Sequence, residues 1–523
     1  MLTNFFQVIV GSRSFIPRRR MGGTKSPYFL HLALLLAPLA GFSQTYGVKD
    51  FGAVADGKTL NTVAIQRAID QCEAGGGGEV LVPAGVFVTG SLRLKSNLTL
   101  RLMPGAVLQG SHNPADYPEH DISMHRKFGT ITHDGAFVKS MKSLIIADNA
   151  DNVSIIGGGA IRGAGEAEAF QLGVNKDGKP KNVFFIGCRD VRLIGIRIFN
   201  AAQIAVSVSG CDRVQIEGIY LHSLTNFNCD GIDVDARDVV ISNCIIESED
   251  DALCFKSEYL GRFCENITVQ NCVVASICNG IKLGTGSRTG FRNVTVNNCV
   301  VRRLKEKATL HPGHASMMPD IVSDKETPTV LTGIVIQGVD GGLVENINFS
   351  NILMTDVISP IFIRVGRRFL NPEQMPSVMR NISIQNVTAH SRSVIPSIVA
   401  GLDDSPASDI RLSNIRVSIP IAVTAEVFKQ FPADPPENTK GYPENRLTFG
   451  FRLPAAAFYV RHVKGIKMTD ITVTHAENEA RPALYFDDVH GINLRGVRVN
   501  DLPIEENPSH IRRTNSTEVE FSK

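Results

Sequence analysis

The sequence predicts an all-β protein whose strands stack as a parallel β-helix, a solenoid of short strands and turns. The first observation is a recurring phrase, a polar or small residue followed by alternating apolar residues and then Asn-Cys or a substitute. The second is the nearly regular spacing of this phrase, and the third is a composition with 46 glycines and no tryptophan in 523 residues. A strand-turn unit of this size cannot bury its apolar face alone, so consecutive units must stack.

Eleven copies of the phrase can be found. They begin at Asn152, Asp190, Arg213, Asp238, Asn266, Asn293, Asn346, Asn381, Asp409, Gly465 and Gly491. The steps between their first apolar residues are 38, 23, 25, 28, 27, 53, 35, 28, 56 and 26 residues. Most are one period of 23–28 residues, 53 and 56 indicate two periods, and 35 and 38 indicate one period with an insertion. Alternation with a period of two, bounded by turn residues, is typical of a strand.

Two residue types recur at fixed places in the phrase, and both predict columns along the solenoid. The columns comprise Cys244, Cys272 and Cys299, and beside them Asn243, Asn271 and Asn298. Stacked amides can hydrogen-bond from one strand to the next. The cysteine column favours packed thiols over a metal site, with disulfides as the alternative for an exported chain.

The N-terminal part of the chain differs from the repeats. Residues 62–73 have helical periodicity, with apolar residues at 63, 65, 69 and 72, and the pattern ends at Gly75–Gly78. The end of a solenoid needs a cap with a polar outer face, so we predict an N-terminal capping helix here.

Residues 1–43 have the pattern of a signal peptide, with 1–20 as an upstream extension. Basic residues precede an apolar run from Tyr28 to Phe42, which is followed by small residues. This run has the length of a signal-peptide core and is short for a bilayer span, although a single-pass anchor is the alternative. The pattern predicts a secreted or periplasmic protein.

Removal of this segment changes the formal charge from +2 to −3, because it holds five of the 54 basic residues and no acid among 52. Such a balance excludes an electrostatic nucleic-acid interface. The remaining residues 44–523 contain no long apolar segment, so we expect that they do not enter a membrane. We also expect them to form one domain and the protein to be a monomer. A proline-rich stretch predicts a long loop at about 420–455, laid against the solenoid.

Several motifs in the first half of the chain resemble those of one known family. The entry Tyr46-Gly-Val-Lys-Asp-Phe-Gly-Ala, the stretch Leu94-Lys-Ser-Asn, and above all Asn228-Cys-Asp230-Gly and Glu249-Asp250-Asp251 resemble glycoside hydrolase family 28, the polygalacturonases and rhamnogalacturonases. The resemblance implies a single-stranded, right-handed parallel β-helix. It also implies catalysis by three aspartates without a metal or cofactor, on a pectic polysaccharide or oligosaccharide.

The resemblance also implies the role of each aspartate. Asp250 is the general acid, and Asp230 and Asp251 are the base that positions water. Crowding of three carboxyls raises the pKa of one of them and keeps a proton available. The resemblance implies inversion, for which carboxyls about 6.5–9.5 Å apart are expected. Two other interpretations are a calcium site, which Asp233, Asp235 and Glu249 would extend, and solvated turn residues.

Two motifs of the family are altered here. Asn279 stands in place of the histidine of its Gly-His-Gly, and Val335 and Gln337 replace the cations of its Arg-Ile-Lys. Valine cannot reproduce a bidentate grip on a uronate carboxylate. Either the cleaved unit is not a plain galacturonate, or other cations have taken over.

The candidates for substrate binding are therefore Asn228, Asn279, Lys256, Lys282, Arg288 and Arg364, each with a solvated or structural role as its alternative. Residues within and after the proline-rich stretch that could close a subsite are Tyr442, Phe449, Tyr459, Arg461 and His462. For Phe449 and Tyr459 the alternative is packing in the core.

The leading hypothesis is a secreted, inverting glycoside hydrolase. The alternatives are a calcium-dependent polysaccharide lyase on the same fold and a carbohydrate-binding β-helix without activity.

Overall fold

The computed structural model describes residues 44–120, 141–171, 178–305, 329–368, 376–440 and 444–522. Residues from Ser43 to the C-terminus form one compact unit. The predicted signal peptide lies outside the described residues. None of the described helices has both the length and the apolar character needed to cross a bilayer.

The described strands form three ladders in which each strand pairs in parallel with the next. Ladder A joins Thr45–Gly47, Gly78–Val82, Leu98–Leu102, Asp151–Gly157, Arg189–Ile194, Val206–Glu217, Ile232–Ser242, Cys264–Gln270, Gly290–Arg302, Leu343–Val365, Val378–Ser391, Ala407–Ile419, Phe458–His475, Leu484–Arg495 and Val519–Phe521.

The longer strands bend and continue into a neighbouring ladder. Ladder B adds Leu92–Leu94, Ser143–Asp148, Lys181–Ile186, Leu253–Ser257, Asn279–Ser287, Val330–Gly338, Ser397–Ala400 and Ile511–Thr514. Ladder C adds Asp56–Leu60, Gly85–Thr89, Ala106–Gly110, Ala160–Arg162, Arg197–Phe199, Tyr220–Ser223, Ile245–Ser248, Val273–Ser276 and Arg498–Val499. Leu502–Pro503 pairs antiparallel with Arg498–Val499.

The described helices are few and short. They are α1 (Thr62–Ala74), α2 (Ala425–Phe428), α3 (Asn445–Phe449) and the 3₁₀ turns Val48–Phe51, Pro114–Asp116, Glu168–Phe170, Ile504–Glu506 and Pro508–His510. The predicted helix is thus present as α1, and it buries Ile65, Ala68, Ile69 and Cys72 against the first strands. The protein is all-β with parallel strands, as the repeat predicts.

The register of ladder A follows the phrase copy by copy. Val153 pairs with Val191, and the pairing continues through every later copy to Ile466 with Ile492. The interpretation of the 53- and 56-residue steps as two periods is wrong, because each joins strands that pair directly. The residues between the paired strands include 306–328, which lie outside the described part of the chain, and the segment 420–455, called here the C-terminal segment.

The first residue of every phrase has a positive φ, from 51° at Asp409 to 80° at Gly465. Asparagine, aspartate and glycine tolerate this left-handed conformation better than other residues, which explains the polar or small residue there. Arg213, with a φ of 56°, is the one first residue of a phrase that is not asparagine, aspartate or glycine. Its guanidinium makes two hydrogen bonds, of 2.6 and 2.7 Å, to Asp190 at the equivalent place in the preceding copy.

The predicted columns are present. Asn271 donates to Asn243 over 3.3 Å, and a second amide column runs through Asn266, Asn293, Asn346 and Asn381. The thiols of Cys244, Cys272 and Cys299 each donate to the backbone carbonyl two residues earlier, and all ten cysteines are buried and free. The sulfur column is therefore packed thiols.

Candidate functional site

The register of ladder B brings the predicted catalytic residues together. Ile232 pairs with Leu253, and Leu253 pairs with Ile281. Asp230, Asp251 and Asn279 each precede these residues by two, so they occupy one position on three successive strands. One carboxylate oxygen of Asp230 lies within 4.8 Å of one of Asp251, and the same holds for Asp250 and Asp251.

Asp250 is half-buried and held from two sides. Asn228 donates from Nδ2 to its Oδ2 over 3.0 Å, and the backbone N–H of Asp251 donates to its Oδ1 over 2.9 Å. The hydroxyls of Ser248 and Ser276 both donate to its carbonyl oxygen over 2.7 Å. Asn228, predicted to bind substrate, therefore orients the predicted general acid in this structure.

Asp230 is the member of the triad whose pKa is raised. Burial raises the pKa of this carboxyl well above its ordinary value, the charges of Asp233 and Asp250 add to the effect, and Lys256 opposes it. Its side chain is 4% exposed. The crowding argument predicts one raised pKa, and in this structure the raised pKa is that of Asp230. The resemblance gives the acid role to Asp250 instead.

Asp251 has the opposite electrostatics. Burial acts to raise its pKa, but the Lys282 and Lys256 charges and hydrogen bonds from Lys282 and Asn279 outweigh burial and lower the pKa to about 2. Lys282 Nζ lies 2.9 Å from Oδ2, and Asn279 Nδ2 lies 2.7 Å from Oδ1. Asp251 is therefore ionised at any pH where the protein works, as a base or water-positioning group must be.

The carboxylates lie closer than expected from the resemblance. Nearest oxygens of Asp250 and Asp251 within 4.8 Å do not fit the separation of about 6.5–9.5 Å that inverting enzymes use. That rule compares one acid with one base, whereas three carboxyls share this site. The separation therefore does not select the stereochemical outcome.

Glu444 is a site residue that the sequence analysis missed. Its Oε1 accepts from Lys282 over 2.8 Å and its Oε2 accepts from Asn279 over 3.2 Å. These partners lie 162 and 165 positions away in the chain. No local motif marks Glu444 within the proline-rich stretch, so no signal in the single sequence could have singled it out.

The two candidate lysines beside the aspartates are both buried and paired. Lys256 Nζ lies 3.6 Å from Asp230 and 3.7 Å from Asp233, and Lys282 lies between Asp251 and Glu444. Their 26-residue spacing does not put them in register, since Lys282 pairs with Cys254. Each ammonium group is already neutralised by two carboxylates of the protein.

The arginine candidates lie elsewhere. Arg364 is 1% exposed, forms an ion pair of 2.5 Å with Glu437, and lies 5.2 Å from the ring centre of Phe449. Arg288 is half-buried, and its backbone N–H donates to Ser257 over 2.8 Å. Arg364, a candidate for substrate binding, is thus covered and neutralised by the C-terminal segment in this structure.

The same segment explains what replaces the family's arginine. Val335 is fully buried in an apolar cluster with Phe449, Tyr459, Tyr485 and their neighbours. The core-packing interpretation of Phe449 and Tyr459 is therefore correct, while Tyr442 lies outside the described residues. Of the other two candidates, Arg461 pairs with Glu437 and Asp487 at 3.4 Å each, and His462 pairs with Asp488 at 2.7 Å.

A cavity of about 660 Å³ opens beside this cluster. It is lined by Pro432, Asp434, Pro436, Phe449, Gly450, Phe451 and Arg452. None of the three aspartates borders it, so it belongs to the C-terminal segment rather than to the carboxylate cluster.

The calcium interpretation fits the observed donors poorly. The described groups that could hold a cation are Asp230, Asp251 and Cys254, and Asp250, Asp251 and Cys278. Calcium takes six to eight oxygen ligands, whereas each set offers two carboxylates and a thiol. The ammonium groups of Lys256 and Lys282 already lie against the same carboxylates.

Part of the chain matches a known family, and its fold is similar to a solved structure. Residues 72–309 match the family described as Glycosyl hydrolases family 28. A 72-residue stretch is 57% identical to the exo-poly-alpha-D-galacturonosidase of Dickeya chrysanthemi, covering 14% of this chain and 12% of that protein. A 216-residue match is 32% identical to a probable polygalacturonase of Vitis vinifera, covering 40% of this chain and 43% of that protein. In both cases the chain spans less than half of the curated relative.

The fold is similar to that of a solved structure, a hyperthermoactive exopolygalacturonase from Thermotoga maritima. The TM-score is 0.60 at 21% sequence identity, and the match covers 82% of this chain and 91% of that chain.

Proposed function

Because residues 72–309 match glycosyl hydrolases family 28, we propose that the chain belongs to this family and is a glycoside hydrolase acting on a pectic polysaccharide or its fragments. The observation that carries this proposal is the set of Asp230, Asp250 and Asp251 on adjoining strands of ladder B. The pKa of Asp230 is raised and that of Asp251 is lowered, so the cluster can keep a proton and an ionised carboxylate side by side.

The proposed reaction is an acid/base displacement by water at the anomeric carbon, with inversion. Asp250, the half-buried member, protonates the leaving oxygen, while Asp251 and Asp230 orient the attacking water. Burial and neighbouring charges raise the pKa of Asp230, and a coupled cluster can redistribute its protons when substrate binds.

The proposal includes the fold on which these groups lie. The three parallel ladders support a single-stranded, right-handed parallel β-helix, with α1 as its N-terminal cap. Its active cleft would run along ladder B, and the protein would act as a monomer.

We propose further that residues 1–43 are a signal peptide and that the mature enzyme acts in the periplasm or outside the cell. The basic residues, apolar run and small residues of that segment support this. N-terminal sequencing of protein recovered from the periplasm and the medium tests it. An intact Met1 on exported protein would contradict the proposal.

The activity is tested with a panel of galacturonan, rhamnogalacturonan and other plant and algal oligosaccharides. Product size is read by chromatography and the first-formed anomer by proton NMR. We expect new reducing ends, and the inverted anomer, in the presence or absence of chelator.

The same assay decides between the alternatives. A chelator-sensitive activity that yields an ultraviolet-absorbing unsaturated product would identify a lyase. Binding of a glycan without cleavage would identify a carbohydrate-binding protein. First formation of the retained anomer would overturn inversion and leave hydrolysis standing.

A further inference from the structure

Glu444 lies in the C-terminal segment, at the point where that segment reaches ladder B. Its side chain is 1% exposed. It contacts two groups that also hold Asp251, namely Lys282 at 2.8 Å and Asn279 at 3.2 Å. A buried carboxylate of the C-terminal segment therefore shares both of its contacts with Asp251, the predicted base.

The four groups form a closed ring. Lys282 donates to both Asp251 and Glu444, and so does Asn279. An amide nitrogen has two N–H donors, so the two carboxylates together fix which way the Asn279 amide faces. The flexible lysine stem is likewise held from both sides, and Asp251 keeps one orientation.

The segment that carries Glu444 is itself anchored. The neighbouring Asn445 donates to the hydroxyl of Thr332 over 3.1 Å, and Thr332 pairs with Asn279 on the next strand. The backbone N–H of Thr448 donates to the carbonyl of Glu444 over 2.9 Å. Glu444 therefore stands on a fixed element, as a group that positions a catalytic side chain must.

We propose that Glu444 is a positioning residue that orients Asp251 through Lys282 and Asn279, and that the C-terminal segment is thereby part of the catalytic centre. This inference rests on the proposed function. The negative charge of Glu444 also attracts Lys282, so Lys282 stabilises the Asp251 anion less than it would in the absence of Glu444. Asp251 consequently keeps more basicity than it would beside Lys282 alone.

Two variants separate charge from contact. Glu444→Gln keeps the shape and removes the charge, so Lys282 stabilises the Asp251 anion more strongly. The acidic limb of the kcat/KM profile is expected to move to lower pH, with a fall in kcat of about tenfold. Glu444→Ala removes the tether, and misplacement of the base is expected to lower kcat by about a hundredfold with little change in KM.

Glu479→Gln is the matched control. Glu479 is a fully buried carboxylate that holds Arg481 at 2.9 Å and the backbone of Val423 at 3.1 Å, at the beginning of the same segment. Its loss is expected to lower the melting temperature and leave the pH profile in place.

The results that overturn the inference are distinct. Folded Glu444→Gln and Glu444→Ala proteins with the wild-type kcat and acidic limb would contradict it. A second result would also contradict it: Glu444→Ala and Glu479→Gln lose kcat equally, and the acidic limb of the kcat/KM profile does not move in Glu444→Gln.

A crystal structure of Glu444→Ala tests the geometry without an assay. The Asn279 amide and the Asp251 carboxylate should turn away from their present contact of 2.7 Å, and an unchanged contact would refute positioning. A wild-type protein that cleaves no glycan would refute the proposed function instead, while the crystallographic result still decides the role of Glu444.

Discussion

Asn279 donates a hydrogen bond from Nδ2 to Oδ1 of Asp251 over 2.7 Å, between neighbouring strands of ladder B. Asn279 stands where the family carries histidine, and an asparagine cannot hold the charge that an imidazole can. The charge beside Asp251 comes instead from Lys282, a buried cation 2.9 Å away. Lys282 thus keeps Asp251, the proposed base, ionised.

Replacement of the predicted acid should abolish turnover. Asp250→Asn keeps the contacts from Asn228 and the Asp251 backbone near their present geometry but removes the proton donor. We expect kcat to fall by about a thousandfold, within the usual range for a general acid, with an unchanged melting temperature. The control is Asp238→Asn, an exposed left-handed turn residue that asparagine also suits. Retention of full activity in Asp250→Asn would reject the acid role.

Loss of the buried lysine should destabilise the protein. Lys282→Met leaves the carboxylates of Asp251 and Glu444 buried together without their cation. We expect a loss of about 3–5 kcal/mol in the free energy of unfolding, read from urea denaturation. The exposed Lys467→Met should change stability by less than about 0.5 kcal/mol. Equal effects of the two substitutions would show that the ion pairs contribute nothing.

Stability should fall as the pH rises because of Asp235. Burial raises its pKa from the ordinary 3.8 to about 7, so the folded state keeps a proton that the unfolded state has lost. This contribution is complete below pH 3.8 and is lost as the pH rises through about 7. Asp235→Asn removes the titration. Between pH 3.8 and about 7 the free energy of unfolding of the wild type should fall by up to about 4 kcal/mol relative to that of the variant. Urea unfolding at about pH 4.5 to 7.5 measures this difference. Parallel curves for the two proteins would refute the shift.

Placing the arginine of the resembled family at position 335 should not restore binding of a uronate carboxylate. Val335→Arg forces a guanidinium into the apolar cluster of Phe449, Tyr459 and Tyr485, and burial of an unpaired charge is costly. We expect unfolding to become easier by about 3–5 kcal/mol, with no gain in galacturonan hydrolysis. Val240→Arg, at a strand position that is 43% exposed, serves as the matched control and should be neutral. A stable Val335→Arg protein with tighter galacturonan binding would show that the cluster opens.

Much of the fold could be predicted because its signals are local. The left-handed turn at each phrase selects asparagine, aspartate or glycine within one or two residues, and the alternating apolar residues mark the inner face. The same locality explains the failure at the 53- and 56-residue steps. A count of residues cannot tell an extra turn of the ladder from a segment that leaves it and returns.

The clustering of Asp230, Asp250 and Asp251 was likewise determined by the sequence, because motifs one repeat apart must lie on paired strands. The tertiary structure alone decided which charges face them. Glu444 and Glu437 come from a segment whose course no repeat dictates, and they neutralise Lys282 and Arg364, two of the cations that the sequence offered for substrate. Asn279, Lys282 and Val335 have their positions from the register of ladder B, but each also contacts a chain segment more than a hundred residues away.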